Sequence, residues 1–393
     1  MKYVGLLLHF YQPPTQDPDI VRKIHSECYL PLFRLLRDSG VRVTVNINYS
    51  LTEQLSALSL SGLEVISEAE GIEFSDSGAY HPILPLLEPS ETARQLALNS
   101  MGNRKLLGSN FAPTGVFPPE MAFSPELAHS LREMGYSWTI TDDVPFIWTG
   151  QDAPSSWISR CEGILVFLRS NFWSNLISFH GDDGRSTATD LVRGLTDWAG
   201  EEDAYIVIAM DGETFGHHRK GTVETFLAPF LAELNSSKKT ELVTLGDLTS
   251  LFPPRDTTIP SGSWSTTRED LDSGNPYPLW MHGSNPDHTE MWKLLRIVLA
   301  RARRCGSGRV ARMADRMLYS CPFWWASSDR ISPLQVRRGV RSILRTAFAV
   351  FEHTGDSDFI DRAMAITARI DAMAGEDDKD AQEGKNICSQ TCP

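Results

Sequence analysis

No two cysteines of this 393-residue chain stand at CxxC spacing; the six are scattered at Cys28, Cys161, Cys305, Cys321, Cys388 and Cys392. That scatter suggests neither a zinc knuckle nor a disulfide framework, and a cytoplasmic protein is the expectation. No apolar run reaches the length needed to span a bilayer, so no membrane partner is expected. The opening MKYVGLLLHFYQPP has a lysine and a short apolar run. Gln12, Pro13 and Pro14 interrupt that run early and no small-residue cleavage site follows, so it reads as a buried first strand rather than a signal peptide. Basic residues are in deficit: 37 Lys and Arg against 50 Asp and Glu leave a formal charge of −13. Such a balance argues against a nucleic-acid partner, which needs a basic surface, and fits a neutral or cationic substrate better than an anionic one.

What is present is ordinary in bulk and organised in detail. Hydrophobic residues make up 41% and charged residues 22%, a soluble globular composition long enough for one large domain and a smaller one. Short apolar runs at residues 3–10, 41–48, 71–76, 114–118, 137–141, 164–169 and 205–210 read as strands. Several are continuous Val/Ile/Leu stretches without alternation, as parallel strands covered on both faces are. Helical patterns separate them at 20–38, 51–58, 90–107, 124–134 and 186–198, and Ser124-Pro125 has the form of an N-cap followed by proline in the first helical position. Strand–helix alternation of this kind points to a parallel barrel or a doubly wound sheet. No GxGxxG follows the first strand, which weakens the dinucleotide-binding version. The favoured fold is an α/β, TIM-like parallel barrel over residues 1–252, with its site at the carboxyl ends of the strands. A Trp-containing loop over the cleft (253–287), a helical subdomain (288–374, with periodicity at 290–304, 309–319, 333–352 and 358–373) and a flexible tail (375–393) follow.

In parallel barrels the reactive groups sit where strands give way to loops. Four such places carry polar residues: His9 to Pro14 after the first strand, Asp76 with the His81 segment after the third, GVFPPE with Glu120 after the fourth, and YIVIAMDGETFGHH with Asp211 and Glu213 after the last. A single carboxylate after a strand is as often a helix cap, and a lone histidine or a proline pair is more often structural. Four on one rim weigh against that reading. Glu120 and Asp211 make a chemically sensible pair, because glycosidic cleavage needs one carboxylate at the sugar carbon and one acid for the departing oxygen. Gly212 is expected to let the chain turn sharply after Asp211. If strand geometry persisted, Glu213 would share a face with Asp211 and either tune the acid or bind substrate. Asp142 and Asp143 lie on the same rim, as caps or as substrate contacts. The adjacent His217 and His218 cannot share a strand face, and a metal site is not expected.

The segments HFYQPP, EFSDSGAYHPILPLL, GVFPPE and AMDGETFGHH resemble, in order and approximate spacing, the motifs of glycoside hydrolase family 57. The resemblance is strong over residues 1–251 and looser through LYSCPFWWASS. It implies a seven-stranded (β/α)7 barrel followed by a helical bundle, a retaining mechanism on α-linked sugars and no cofactor. Carried over motif by motif, it implies Glu120 as nucleophile and Asp211 as general acid/base. His9, Gln12 and His81 then line the sugar cleft, with Glu213, Trp264 and Trp280 as further substrate contacts, the tryptophans on a loose match. Tyr11 replaces the histidine of the family's His-Gln-Pro motif, which implies altered sugar contacts and removes half of a His-x-His zinc pair. The family's activities include α-amylase, 4-α-glucanotransferase, branching enzyme, amylopullulanase and α-galactosidase. An amylase or glucanotransferase on an α-linked oligo- or polysaccharide is the reading here, with branching or α-galactosidase activity as alternatives. A metal-dependent deacetylase would want an HxxxH pair, which the chain lacks; a binding protein without turnover is the remaining competitor. Trp264 and Trp280 serve equally as sugar platforms or as buried packing, and Trp324-Trp325 read as core.

Overall fold

The computed structural model describes residues 1–180, 187–198, 202–327 and 332–383. Packing divides the chain into two units. The first holds Met1–Gln12, Gln16–Ala79 and Leu84–Leu271; the second holds Pro13–Thr15, Tyr80–Ile83 and the chain from Asp272 onward.

The first unit is built on ten strands: β1 Lys2–Phe10, β2 Val43–Ile47, β3 Ile72–Ser75, β4 Gly115–Val116, β5 Trp138–Asp142, β6 Ile158–Cys161, β7 Ile164–Arg169, β8 Ala204–Asp211, β9 Thr240–Val243 and β10 Pro254–Asp256. Seven of them close a parallel ring. β1 pairs β2 and β8, β2 pairs β3, β4 pairs β5, β5 pairs β7 and β7 pairs β8. The ring is completed between β3 and β4 by the bridge of Asp76 to Val116. These are the seven strands expected from the apolar runs. The other three lie beside the ring: β9 pairs the first half of β1, β6 runs antiparallel to β7, and β10 pairs β6. The β6–β7 hairpin turns on Glu162 and Gly163, both at positive φ (50° and 81°), the backbone of a two-residue primed turn.

Alternation along each closed strand decides which residues point inward. In β8, Tyr205, Val207 and Ala209 pack with Leu7, Trp138, Ile140 and Phe167 in one cluster that fills the barrel. Ile206, Ile208 and Met210 belong to a second cluster with Leu6, Leu8 and Phe10 of β1 and the flanking helices. Two-sided burial explains the continuous apolar runs.

The predicted helix over 20–38 is Pro18–Ile24 and Leu30–Ser39 joined by a π-helical turn, His25–Tyr29. Ser124 caps the helix Pro125–Glu133 by accepting from the Leu127 amide, with Pro125 in first position. The second unit has helices Pro286–Arg304, Gly308–Arg316, Cys321–Trp325, Pro333–Thr354 and Ser357–Glu383. Its long helices pack on one another through Leu294, Leu295, Val298, Val336, Val340, Ile343, Ala347, Ile366 and Ile370, and Trp324 and Trp325 are buried there. The last helix continues past residue 375 into the stretch expected to be aperiodic, where Ala, Glu, Lys and Gln are helix-favouring; residues 384–393 lie outside the described residues. Cys28, Cys161, Cys305 and Cys321 are free thiols, while Cys388 and Cys392 lie outside the description. Among the described residues no helix is long and apolar enough to cross a membrane.

Gly212 opens a turn directly after Asp211, as expected of it, but not by virtue of a left-handed backbone. Its φ does not lie in the left-handed region, and a Cβ there would stand 2.1 Å from Cε1 of the buried Phe10 ring. The glycine is required by close approach. Gly212→Ala is therefore expected to destabilise the chain by ~1–3 kcal/mol, the usual cost of overpacking, read as a fall of several degrees in Tm; an unchanged Tm would show that Phe10 can yield.

Candidate active site

Above the apolar layer of the barrel, the inward parity continues into polar residues. His9 ends β1 beside Asp211 of β8, the two being partners in register. Asn46 of β2, Asp142 of β5 and Arg169 of β7 occupy corresponding inward positions, by the same alternation as Ile140 and Phe167 before them. The amide of Asn46 is oriented by donating from Nδ2 to Ser75 Oγ at 3.0 Å, so its Oδ1, 2.7 Å from His9 Nδ1, accepts from that ring nitrogen. His9 is buried and stacked on Phe117 at 4.6 Å between centroids. Burial lowers its pKa to about 4, against the opposing effect of the Asn46 hydrogen bond. It is thus a neutral imidazole with the proton on Nδ1.

Glu120 follows β4 in a strained turn. Its φ of 59° and that of Met121, 48°, are left-handed, a backbone state that costs non-glycine residues of order 1–3 kcal/mol and persists only where the surroundings enforce it. The enforcement is visible. Pro118 and Pro119 fix their own φ, the amides of Met121 and Ala122 donate to the carbonyls of Pro118 and Pro119 (2.8 and 3.1 Å), and the Glu120 carbonyl accepts from the Trp264 amide at 3.2 Å. The turn aims the buried carboxyl at Trp264, whose indole Nε1–H donates to Oε2 at 2.8 Å. Trp264 is itself half-buried, edge-on to Phe117 (5.8 Å) and His9 (6.1 Å), with the Arg169 guanidinium 5.8 Å from its ring centroid.

Asp211 is part-exposed, but its Oδ1 is buried and accepts no hydrogen bond from any described residue. Burial raises its pKa to about 7, while the Arg169 charge pulls it back. Glu120 is raised to about 8, first by burial, with the Trp264 bond opposing and the Asp211 charge adding. The two carboxyls therefore feel each other, and the second ionisation is harder than the first.

Strand geometry ends at Asp211, and Gly212–Thr214 form one 3-10 turn. Glu213 is thereby turned to a different set of partners from those a continuing strand would offer. Its Oε1 accepts from Tyr29 Oη at 2.6 Å and from the Tyr11 amide at 3.2 Å. Gln12 donates from Nε2 to the Tyr29 oxygen at 3.0 Å and accepts from Gln16 at 2.9 Å. These two residues are engaged within the protein. Burial, and then the Asp211 charge, raise the pKa of Glu213 to about 8.

Asp142 caps the helix Asp143–Trp148 and pairs with Arg169 at 2.6 Å. Asp143 accepts from the Asn171 amide at 3.2 Å. Asp76 is a structural hub, accepting from Ser77, Asn99, Ser100 and Tyr136. His217 lies 3.3 Å from Glu27. His81 and Trp280 belong to the second unit. There His81, at φ 60°, meets Ser320 Oγ at 3.0 Å, and Trp280 is fully buried with its carbonyl accepting from Trp292 Nε1 at 2.8 Å. The first unit thus gathers His9, Gln12, Glu120, Asp211, Glu213 and Trp264. Sequence reasoning passed over Asn46, Tyr29, Phe117 and Arg169. Of these Arg169 carried a usable signal, a charge closing the apolar run ILVFLR.

A closed seven-stranded parallel barrel with two coupled carboxyl groups on its carboxyl-terminal rim is the class that fold and site define. The chain belongs to glycosyl hydrolase family 57, whose model matches residues 10–260. It is 24% identical over 262 residues to an α-amylase of Pyrococcus horikoshii, covering 63% of this chain and 40% of the amylase. It is equally 24% identical to a 4-α-glucanotransferase of Thermococcus litoralis, over 63% of this chain and 38% of the transferase. The chain thus spans about 40% of the length of the curated relatives it matches. The crystal structure of the Thermococcus litoralis 4-α-glucanotransferase superposes with a TM-score of 0.73 at 20% identity, over 88% of this chain and 59% of that one. A branching enzyme of the same family from Pyrococcus horikoshii superposes at 0.70 and 14% identity, over 93% and 94%. At these identities the likeness is one of fold.

Glu213 provides a test of the electrostatics. With its pKa raised from 4.5 to about 8, the folded chain keeps a proton that the unfolded chain releases as pH rises between those values, so this group costs stability over that window, by up to a few kcal/mol. Glu213→Gln keeps an oxygen for Tyr29 and Tyr11 but cannot ionise. Its Tm relative to wild type is expected to rise steadily from pH 5 to pH 8; a difference that does not change with pH would show that Glu213 is not held protonated.

Proposed function

We propose that the chain cleaves or transfers α-linked glucosyl units by a two-step retaining mechanism, with Glu120 as nucleophile and Asp211 as general acid/base. The observation that carries this reading is the placement of Glu120 in the turn after β4 and of Asp211 at the end of β8, on one barrel rim, with an indole N–H donated to Glu120. The names of the relatives supply the substrate class.

In the first step the Glu120 carboxylate forms a bond to the anomeric carbon as Asp211 gives its proton to the departing glycosidic oxygen. In the second, Asp211 takes a proton from water or from an acceptor hydroxyl, whose oxygen displaces Glu120. The Trp264 N–H favours the ionised form of Glu120 and fixes which oxygen attacks. Arg169 keeps the Asp211 carboxylate tolerable between the two steps. Water as acceptor makes the enzyme a hydrolase, and a sugar hydroxyl makes it a glucanotransferase. The free buried thiols support a reducing, cytoplasmic setting, which cell fractionation tests.

The working state of the pair holds one proton, on Asp211, whereas burial raises Glu120 the higher of the two (about 8 against about 7), so the substrate-free pair works through its minor proton arrangement. Loss of the first proton switches activity on and loss of the second switches it off. Since burial raises both groups, to about 7 and about 8, kcat/KM is expected to trace a bell with both limbs above the ordinary carboxylate range; an acid limb near pH 4 would contradict this. Incubation with maltoheptaose should give shorter products, or shorter and longer ones if transfer dominates, and a parallel α-galactoside should be left intact. Glu120→Gln should lower kcat by at least about 10³-fold with the fold intact, and azide should rescue Glu120→Gly as a glycosyl azide of inverted configuration. Turnover by Glu120→Gln would show that the nucleophile lies elsewhere.

A further inference from the structure

Arg169 is the one cation placed so as to act on both carboxyls by separate routes, among the described residues of this rim. It closes β7 at an inward position and is buried. Three of its N–H groups are tied to three different elements: Nε to the Ala209 carbonyl of β8 at 2.7 Å, Nη1 to Asp142 Oδ2 at the end of β5 at 2.6 Å, and Nη2 to Asn175 Oδ1 at 2.8 Å. Asn175 and Asp142 are braced in turn by Asn171, which accepts from Asn175 Nδ2 at 2.9 Å and donates to Asp142 at 3.2 Å. A guanidinium held at three corners cannot turn.

Its Cζ lies over the Trp264 indole, 5.8 Å from the centroid, within the range at which a cation and an aromatic ring attract. Phe117 and His9 box the same indole edge-on. That ring has one polar atom, and it donates to Glu120 Oε2. Rotation of the indole by a few tens of degrees would remove the donor. The ring is held by its backbone and indole bonds to Glu120, by the apolar cluster of the barrel and by this box, in which Arg169 is the charged wall.

We propose that Arg169 is a positioning residue for both catalytic carboxyls, locking the Trp264 indole so that its N–H meets Glu120 and presenting a fixed positive charge to Asp211. This rests on the retaining reading above. The ionisable groups around it are Asp142 and Asp143 from the end of β5, Asp211 from β8 with Glu213 beyond it, Glu120 after β4, and the neutral His9 of β1. A lysine would keep the charge and lose the planar fork and the stacked face.

The test uses the full chain. Arg169→Met alone would strand the buried Asp142 charge, so it is paired with Asp142→Asn, which keeps the helix cap and removes both charges. Arg169→Lys and Trp264→Phe complete the set. In Arg169→Met/Asp142→Asn, kcat should fall by ~10–100-fold with KM within about threefold, as misplacement of a catalytic group gives, and the limb of kcat/KM that belongs to Asp211 should move to higher pH. Arg169→Lys should keep that limb while losing kcat, and Trp264→Phe should move the Glu120 limb alone. Carboxyl titration of ¹³C-labelled, substrate-free protein, with Glu120→Gln and Asp211→Asn as subtraction references, reads the same shifts without turnover. A folded double variant with wild-type kcat and unmoved titrations overturns the proposal, as does Arg169→Lys at full wild-type kcat. If the wild type acts on no glucan, the functional reading fails, while the carboxyl titrations still decide the role of Arg169.

Discussion

Everything in the first unit depends on the strict alternation of side chains in strands that close on themselves. In an open sheet an inward residue can be wet; in a closed seven-stranded ring it lies in a dry interior. Tyr205, Val207 and Ala209 obey this as apolar filling, and Asp211, next at the same parity, inherits the position with a carboxyl group. His9, Asn46, Asp142 and Arg169 inherit it likewise from their own strands. The ring of polar groups is thus the top layer of the core, and its members must satisfy one another because little water is at hand. Burying a charge is expensive, and the groups answer in two ways. His9 stays neutral and Asp142 finds Arg169, while Glu120, Asp211 and Glu213 hold their protons into the neutral range.

Local strain is concentrated at the same level. Two consecutive left-handed residues, Glu120 and Met121, are carried by the prolines before them and by the Trp264 segment, 144 residues further along. That segment donates to Glu120 twice, once from the backbone and once from the indole. The tight turn and the tryptophan loop form one structural device, and neither is stable in its observed shape without the other.

Much of this was legible in the sequence and some was not, for definite reasons. The seven ring strands were found because burial on both faces writes an uninterrupted apolar run. The hairpin at Glu162-Gly163 was missed although its short loop ends in glycine, since one strand of it, Ile158–Cys161, is brief and carries Arg160. β9 and β10 are three or four residues long and have no periodicity to read. Glu120 and Asp211 were recognisable from position and motif. The orientation of Glu213 was not, because it depends on where the strand stops. Gly212 does open a turn, and the room it also makes for Phe10 is a contact that no local rule reveals. Arg169 was visible as a charge at a strand end but was overlooked beside the acids. The partnership of Glu120 with Trp264 is a tertiary fact, with nothing local to announce it.

The π-helical turn His25–Tyr29 carries a consequence of its own. An extra residue looped into an otherwise regular helix rotates all that follows by about 100° relative to what precedes. Here that offset lets Val21 and Ile24 bury on one side of the turn and Leu32, Phe33 and Leu36 on the other, while Cys28 and Tyr29 reach the loop after β8, the thiol to the Gly212 carbonyl and the phenol to Glu213. Removing a single amino acid from this short insertion would regularise the helix and swing the phenol away, leaving Glu213 with the Tyr11 amide but without its hydroxyl donor. Descent with loss or gain of one codon there is a route by which related barrels can retune the same rim without altering a single strand.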